Sequence, residues 1–137
     1  MIPPAERKEI IAAKVRDAEE MLRVAEVNFQ YEFYNSAVNR LYYACFHIAC
    51  AALLAIGIED VRRHEGVRNM FSLHFIKEGR IGPEWKSFYA TMFSCRSNAD
   101  YDNFMYYTRE QVAEMQPLVA QFVRMLKNYI NALDSNN

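Results

Sequence analysis

Apolar residues recur every three or four positions along most of this chain, and that spacing is typical of amphipathic helices. The first run of this kind predicts a helix over residues 5–31, preceded by Pro3 and Pro4, where proline is tolerated. Its apolar stripe consists of Ile11, Val15, Ala18, Leu22, Ala25 and Phe29. We expect this stripe to face the core and the charged residues between its members to face solvent.

A more continuous apolar segment follows and predicts a second helix over residues 35–56. Asn35 or Ser36 is expected to cap its N-terminus, because short polar side chains accept hydrogen bonds from the first free backbone N–H groups. Gly57 is expected to end it. The segment is apolar on nearly every side, so it should be the central helix of the fold.

The third and fourth predicted helices are separated by glycines. Residues 65–78 predict a third helix that ends at Gly79. Its inward positions are Val67, Phe71 and Phe75. A fourth helix should begin at Pro83, and its inward stripe consists of Trp85, Tyr89, Met92 and Arg96. The apolar pattern weakens over residues 98–107, where we expect a break or a loop.

The fifth helix is expected to start at Thr108, which can form a capping box with Gln111. Pro117 lies inside the predicted helix and should kink it or delay its start. The apolar stripe consists of Val119, Phe122, Leu126, Tyr129 and Leu133. Residues 134–137 are expected to form a frayed tail.

Together these segments predict an all-α fold: an antiparallel up-and-down bundle of four to five helices, in a single domain over residues 1–137. Hydrophobic residues make up 52% of the chain and charged residues 24%, which excludes a disordered protein. Glycine and proline number only 4 each, too few for the many turns of an all-β fold.

The net charge of −1 gives the whole molecule no strong attraction for nucleic acid or anionic lipid, so any such contact must come from a local patch. Residues 41–58 approach the length of a membrane span, but a central buried helix explains the same pattern and we expect no membrane contact. The 3 cysteines lie in apolar contexts, which is typical of reduced thiols in a cytoplasmic protein.

The histidines do not suggest a metal site. His47, His64 and His74 lack the spacing of zinc ligands, and we expect neither a metal nor a cofactor. His47 is expected to be a hydrogen-bonded histidine of the core or of an interface.

Arg96 is the first candidate for chemistry, because an unpaired charge on an inward stripe would be costly to bury. Asp100 lies one helical turn later and is its natural partner. The two residues can form a structural ion pair, or Arg96 can be a cation aimed at a phosphate or a developing oxyanion. No histidine follows His74, so this segment lacks the group that proton transfer usually needs.

Asn39 and Arg40 form a second candidate, since they are polar residues at the entrance of an apolar helix. Arg40 either pairs with a carboxylate of the first helix or belongs to a site. Of Tyr42 and Tyr43, one should lie in the core while the other presents its hydroxyl.

Two further patterns remain open. One group of basic residues could bind phosphates or form an ordinary solvated surface. It consists of Arg62, Arg63, His64, Arg68, Lys77 and Arg80. Two tyrosine pairs could stack bases, or they could belong to the core or to a dimer interface; they are Tyr42-Tyr43 and Tyr106-Tyr107.

Three segments resemble the signatures of HEPN domains, the higher eukaryotes and prokaryotes nucleotide-binding family. Residues 39–44 read NRLYYA and are similar to its NRxYYA signature. Residues 64–79 resemble its H-x-G-(V/L)…F…F-(V/I)-K-x-G segment, and residues 96–101 resemble its R-x-x-A-D-Y segment. The three motifs occur in the order and spacing of the family, and the match as a whole spans most of the chain, from about Ala25 to Leu133.

The resemblance implies a helical bundle that commonly dimerises. Many prokaryotic HEPN proteins are encoded beside a small nucleotidyltransferase and act with it as a toxin–antitoxin pair. Active members are metal-independent ribonucleases, with an Arg followed after four to six residues by a His, and both subunits of a dimer contribute to one cleft. Arg96 matches that Arg, but the positions expected for the His hold Tyr101, Asp102 and Asn103.

The leading hypothesis is therefore a non-catalytic or weakly active homodimer that binds a nucleotide, RNA or a partner such as a nucleotidyltransferase. The residues expected to line its cleft are Arg96, Asp100, Tyr101, Asn39, Arg40, Tyr43 and His47. In this hypothesis Arg96 anchors a phosphate, Asp100 orients Arg96, and Tyr101 stacks or donates a hydrogen bond.

One alternative is a ribonuclease toxin in which Tyr101 or His47 replaces the motif histidine and Arg96 is catalytic. The other is a purely structural dimerisation module.

Overall fold

The chain folds into helices packed around one long apolar helix. The computed structural model describes residues 1–59, 63–101 and 106–135, with the backbone alone for residues 98–101. The elements are α1 (Pro4–Gln30), α2 (Tyr34–Ala55), α3 (His64–Phe71), a π-helical segment (Ser72–Lys77), α4 (Glu84–Tyr101) and α5 (Arg109–Ser135). The predicted all-α bundle is confirmed.

Helix α2 occupies the centre, as its nearly continuous apolar sequence predicts. It packs against α1, α3, α4 and α5. Between residues 44 and 54, Phe46 and His47 retain partial exposure while the other side chains are buried. By length and composition α2 could span a membrane, yet 72% of its most apolar window is buried inside the fold. The apolar surface of α2 is therefore used for packing against the other helices.

Aromatic stacking fixes α3 and the π-helical segment against α4 and α5. The rings of Phe71 and Phe75 are parallel at 5.0 Å, and Phe71 also stacks on Tyr89 at 5.5 Å. Phe122 of α5 meets Phe71 edge-on at 5.6 Å. All four side chains are buried, and full burial of each such side chain contributes roughly 1.5–3 kcal/mol. This cluster sets the position of α4 relative to the rest of the core.

The start of α2 differs from the prediction. The helix begins at Tyr34, and Phe33 precedes it without a side-chain cap, so neither Asn35 nor Ser36 is the N-cap. The Asn35 side chain instead accepts a hydrogen bond from the backbone N–H of Tyr107 at 2.9 Å. It thereby ties the first turn of α2 to the segment before α5. Gly57 ends the helix as expected, with a φ of 92° that favours glycine.

The third predicted helix is two elements. It begins one residue early, at His64, and changes to π-helical geometry at Ser72. The inward positions of the prediction remain correct, because Val67, Phe71 and Phe75 are all buried. Gly79, with a φ of 76°, follows the π-helical segment as predicted.

The predicted break after Asn98 is wrong for residues 98–101, because α4 continues through Tyr101. Extending an existing helix costs far less than nucleating one, so a polar stretch can follow a packed segment without interruption. Residues 102–105 lie outside the described part of the chain.

The predicted start of α5 is correct. The N–H of Thr108 donates to Gln111 Oε1 at 2.9 Å, and the N–H of Gln111 donates to Thr108 Oγ1 at 3.2 Å. Pro117 lies within the helix without delaying its start. The helix extends to Ser135, and residues 136–137 lie outside the description. Fraying of the tail over residues 134–137 stays a prediction.

Candidate functional site

The guanidinium of Arg96 lies against two adjacent tyrosines of α2. Its Cζ is 5.7 Å from the ring centroid of Tyr42 and 5.8 Å from that of Tyr43. Its Nη2 donates a hydrogen bond of 3.4 Å to the Tyr43 hydroxyl. Cation–π contacts of this kind contribute about 0.5–2 kcal/mol, depending on desolvation. The cation on the α4 stripe is thus held on the central helix, partly shielded from solvent.

A second guanidinium lies near the same Tyr43 ring. The Cζ of Arg40 is 5.3 Å from the Tyr43 centroid, so both arginines lie within 6 Å of one ring. Arg40 Nε donates to Asn39 Oδ1 at 2.9 Å, and its Nη1 contacts Met21 Sδ at 3.6 Å. The predicted carboxylate of the first helix is not its partner among the described residues. Asn39 therefore orients Arg40, and the pair places a second positive charge beside Arg96.

His64, the first residue of α3, brings an imidazole to this place. Its Nδ1 is joined to the Tyr42 hydroxyl by a hydrogen bond of 2.9 Å. Its ring lies 5.5 Å from that of Tyr43 and 4.3 Å from that of Phe46. We call Arg96, His64, Tyr42 and Tyr43 the Arg96–His64 cluster.

Burial sets the protonation states in the Arg96–His64 cluster. It lowers the pKa of His64 below its usual 6.5, and the positive charge of Arg96 lowers it further. Burial also raises the pKa of the Tyr42 phenol well above its usual value, against an opposing effect of Arg96. At neutral pH the cluster therefore combines a fixed cation, a neutral imidazole and a protonated phenol. These groups can bind a phosphate, and the imidazole can accept a proton.

His47 lies at the edge of the cluster and differs from its prediction. Its ring centroid is 6.1 Å from that of Tyr43. Its Nδ1 is buried and has no hydrogen-bond partner among the residues that the structure describes, so the expected hydrogen bond is not seen at this atom. Burial is the main cause that lowers the pKa of this imidazole, and Asp17 opposes it.

Asp100 and Tyr101, two predicted cleft residues, have described backbones, but their side chains lie outside the described part of the structure. Because α4 is unbroken from Arg96 to Tyr101, Asp100 lies one turn beyond Arg96 on the same helix face. An ion pair between Arg96 and Asp100 stays a prediction.

His64 is the cluster residue that sequence reasoning missed. It was considered for metal binding and for a basic patch, but not as a neighbour of Arg96. The two residues are 32 positions apart on different helices, and only the packing of α3 and α4 on α2 brings them together. The available signal is its place at the head of the H-x-G segment, which is also the start of α3.

The fold and the cluster define a helical bundle in which the NRxYYA segment of α2 meets the R-x-x-A-D-Y segment of α4. A family model for the HEPN domain matches residues 12–129. The chain therefore belongs to the HEPN-domain family.

Several relatives in other prokaryotes are similar to most of this chain. A "UPF0332 protein" of Thermotoga maritima is 33% identical over 129 residues, which cover 94% of this chain and 92% of the relative. Two proteins of Methanocaldococcus jannaschii are named toxins. "Putative toxin MJ0605" is 38% identical, over 69% of each chain. "Putative toxin MJ0142" is 30% identical over 85% of this chain and 78% of its own.

The partly buried imidazole of His64 predicts a pH dependence of stability. His64 has a lowered pKa in the folded state, so below pH 6.5 the unfolded chain binds a proton that the folded chain does not. The free energy of unfolding should therefore fall as the pH decreases from about 7 through 6.5, and level off below the folded-state pKa. Urea denaturation of wild type and His64→Gln at a series of pH values measures this contribution.

In His64→Gln the free energy of unfolding should fall less as the pH decreases. Adding His47→Gln should reduce the fall further, because burial lowers the pKa of His47 too. An unchanged dependence in His64→Gln would contradict the assigned environment of His64.

Proposed function

We propose that this chain is the toxin-type member of a two-component pair and that its Arg96–His64 cluster binds RNA through a backbone phosphate. The observation that carries the proposal is the placement of two guanidinium groups, of Arg96 and Arg40, within 6 Å of the Tyr43 ring. Guanidinium groups offer paired N–H donors that match phosphate oxygens. The family membership and the names of the M. jannaschii relatives support the toxin-type role.

The residues of the proposed cleft have different roles in binding the phosphate. Arg96 contacts the phosphate, and its packing on two rings reduces the entropy lost when it binds. The Tyr43 hydroxyl supplies a further donor, and Arg40 adds positive charge from the other helix. Asp100 as an orienting carboxylate and Tyr101 as a stacking group complete the proposed cleft.

Arg96→Ala should weaken binding of a single-stranded RNA by roughly tenfold or more, since charge-assisted hydrogen bonds contribute about 1.5–3 kcal/mol. It should also reduce the slope of log affinity against log salt by about 0.7, the value for one phosphate contact on a single strand. Fluorescence anisotropy with a labelled 2′-O-methyl oligouridine measures both quantities. The 2′-O-methyl groups prevent cleavage during the measurement.

The matched control is Arg124→Ala, which removes an exposed arginine from α5. It should bind like wild type. Equal affinities for Arg96→Ala and Arg124→Ala would show that Arg96 does not contact the RNA.

A second candidate function, metal-independent ribonuclease activity, is favoured by the position of His64. Its imidazole and the Arg96 guanidinium both lie within 6 Å of the Tyr42 and Tyr43 rings. When Nδ1 carries the imidazole proton and donates it to the Tyr42 oxygen, Nε2 is the unprotonated nitrogen that meets substrate. In this mechanism Nε2 accepts the ribose 2′-hydroxyl proton while the 2′-oxygen attacks phosphorus. The bond from phosphorus to the 5′-oxygen breaks, the imidazolium returns the proton to that oxygen, and Arg96 stabilises the extra negative charge.

If His64 transfers the proton, wild type should cleave RNA in the presence of EDTA and leave 2′,3′-cyclic phosphate ends. His64→Gln should then lose about a hundredfold or more of the rate, because that is the usual effect of removing an acid–base group. His74→Gln, which removes an imidazole paired with Glu78 outside the cluster, is the control and should cleave like wild type. If His47→Gln loses the rate while His64→Gln keeps it, the proton transfer belongs to His47. Wild type that binds RNA but leaves it intact would limit the function to binding.

The proposal includes a homodimer that works with a small nucleotidyltransferase in the cytoplasm. Three large apolar side chains are exposed near the α1–α2 turn: Tyr31 at 70%, Phe33 at 61% and Tyr106 at 76%. The hydrogen bond between Asn35 and Tyr107 brings Tyr106 to that turn. An apolar surface of this kind suits a second copy of the chain.

The free, buried thiols of the cysteines are consistent with a reducing compartment.

Light scattering should give the mass of a dimer for wild type and of a monomer for Phe33→Ser/Tyr106→Ser, because the double variant removes apolar contact area. Leu73→Ser, at an exposed apolar residue of the π-helical segment, should remain dimeric.

Co-expression with a nucleotidyltransferase from the neighbouring gene should yield a stable complex. Monomeric wild type would contradict the homodimer, and a dimer that binds neither RNA nor the partner would favour a structural module.

A further inference from the structure

A groove outside the Arg96–His64 cluster gathers positive charge. It lies between α3, the π-helical segment and α4, and its volume is about 550 Å³. Three cations line it: Arg68 from α3, Lys77 from the π-helical segment and Lys86 from α4. We call it the α3–α4 groove. The residues that line it include no carboxylate, among those that the structure describes.

The cations of the α3–α4 groove are not neutralised within the described part of the chain, where none of the three forms an ion pair. Basic residues elsewhere behave differently. Arg80 pairs with Glu78 at 2.7 Å, and Lys127 pairs with Glu19 at 3.0 Å. The net charge of the chain is −1, so this groove is a local concentration of positive charge. Its cations repel one another, and binding of a polyanion would relieve that repulsion.

The groove leads toward the Arg96–His64 cluster. The Arg68 Cζ lies 4.4 Å from the ring centroid of Phe93, and Phe93 packs against Tyr42 at 6.0 Å. Along α4, Lys86, Ala90, Phe93 and Arg96 follow one another at intervals of three or four and share one helix face. Lys86 and Arg96 are ten residues apart, which is about 15 Å along the axis.

We propose that the α3–α4 groove binds the backbone of single-stranded RNA that extends from the phosphate held at Arg96. This inference rests on the proposed RNA binding and adds the path of the strand. Its volume lies within the range of nucleotide-sized ligand pockets, roughly 300–1,000 Å³. Leu73, 40% exposed, and the partly buried Ile76 offer apolar surface to the bases while the cations meet the phosphates.

The test compares two double variants that remove the same charge from different surfaces. Lys77→Gln/Lys86→Gln removes two exposed cations of the groove, and Lys8→Gln/Lys127→Gln removes two cations of α1 and α5. Affinity for a labelled 2′-O-methyl oligouridine of about ten nucleotides is measured between roughly 50 and 200 mM salt. Thermal unfolding confirms that each variant is folded.

The groove variant should bind roughly tenfold or more weakly at low salt, with a slope reduced by about 1.4, the value for two phosphate contacts on a single strand. The control variant should keep the slope of wild type. If both double variants match wild type while Arg96→Ala binds weakly, the groove proposal is wrong and the proposed function stands. If wild type does not bind the oligonucleotide, both are wrong. If the groove variant loses only a protein partner, the groove is a protein-docking surface and not an RNA path.

Discussion

The structure depends on how the polar groups of its central helix are satisfied. Helix α2 carries two adjacent tyrosines, the buried Tyr42 and the half-buried Tyr43, and a hydrogen bond to each hydroxyl offsets the cost of removing it from water. Tyr42 meets His64 at the start of α3, and Tyr43 meets Arg96 near the end of α4. These two contacts, together with the aromatic stacking around Phe71, fix where α3 and α4 cross the core. The fold therefore places an imidazole and a guanidinium side by side because the tyrosines require partners.

The same contacts give the cluster its chemical character. Burial favours the uncharged form of both His64 and Tyr42, and the fixed charge of Arg96 favours a neutral imidazole beside it. A neutral base next to a cation is suited to RNA, whose phosphates are negative and whose 2′-hydroxyls can donate protons. In this chain the imidazole of His64, whose pKa Arg96 lowers, comes from α3 and not from the residues that follow Arg96 on α4.

Local features of the fold were predictable because they depend on neighbouring residues. The stripe of α1, the capping box of Thr108 and the glycine at the end of α2 each follow from the residues within one or two turns. The errors arose where a distant group competes for a side chain or a backbone. Asn35 could not be assigned from its neighbours, because its oxygen is used by the backbone of Tyr107, 72 positions away. The π-helical geometry after Phe71 likewise has no signal in the apolar spacing.

Local periodicity is enough to predict that the chain is helical, which faces are apolar, that α2 is central and that Arg96 lies on an inward stripe. The identity of the side chains that meet Arg96 depends on how the helices pack against one another. His64 reaches Tyr42 because α3 packs on α2, and Arg68, Lys77 and Lys86 share a groove because three elements converge there. These juxtapositions depend on the packing of helices that are far apart in sequence, and no local pattern encodes that packing.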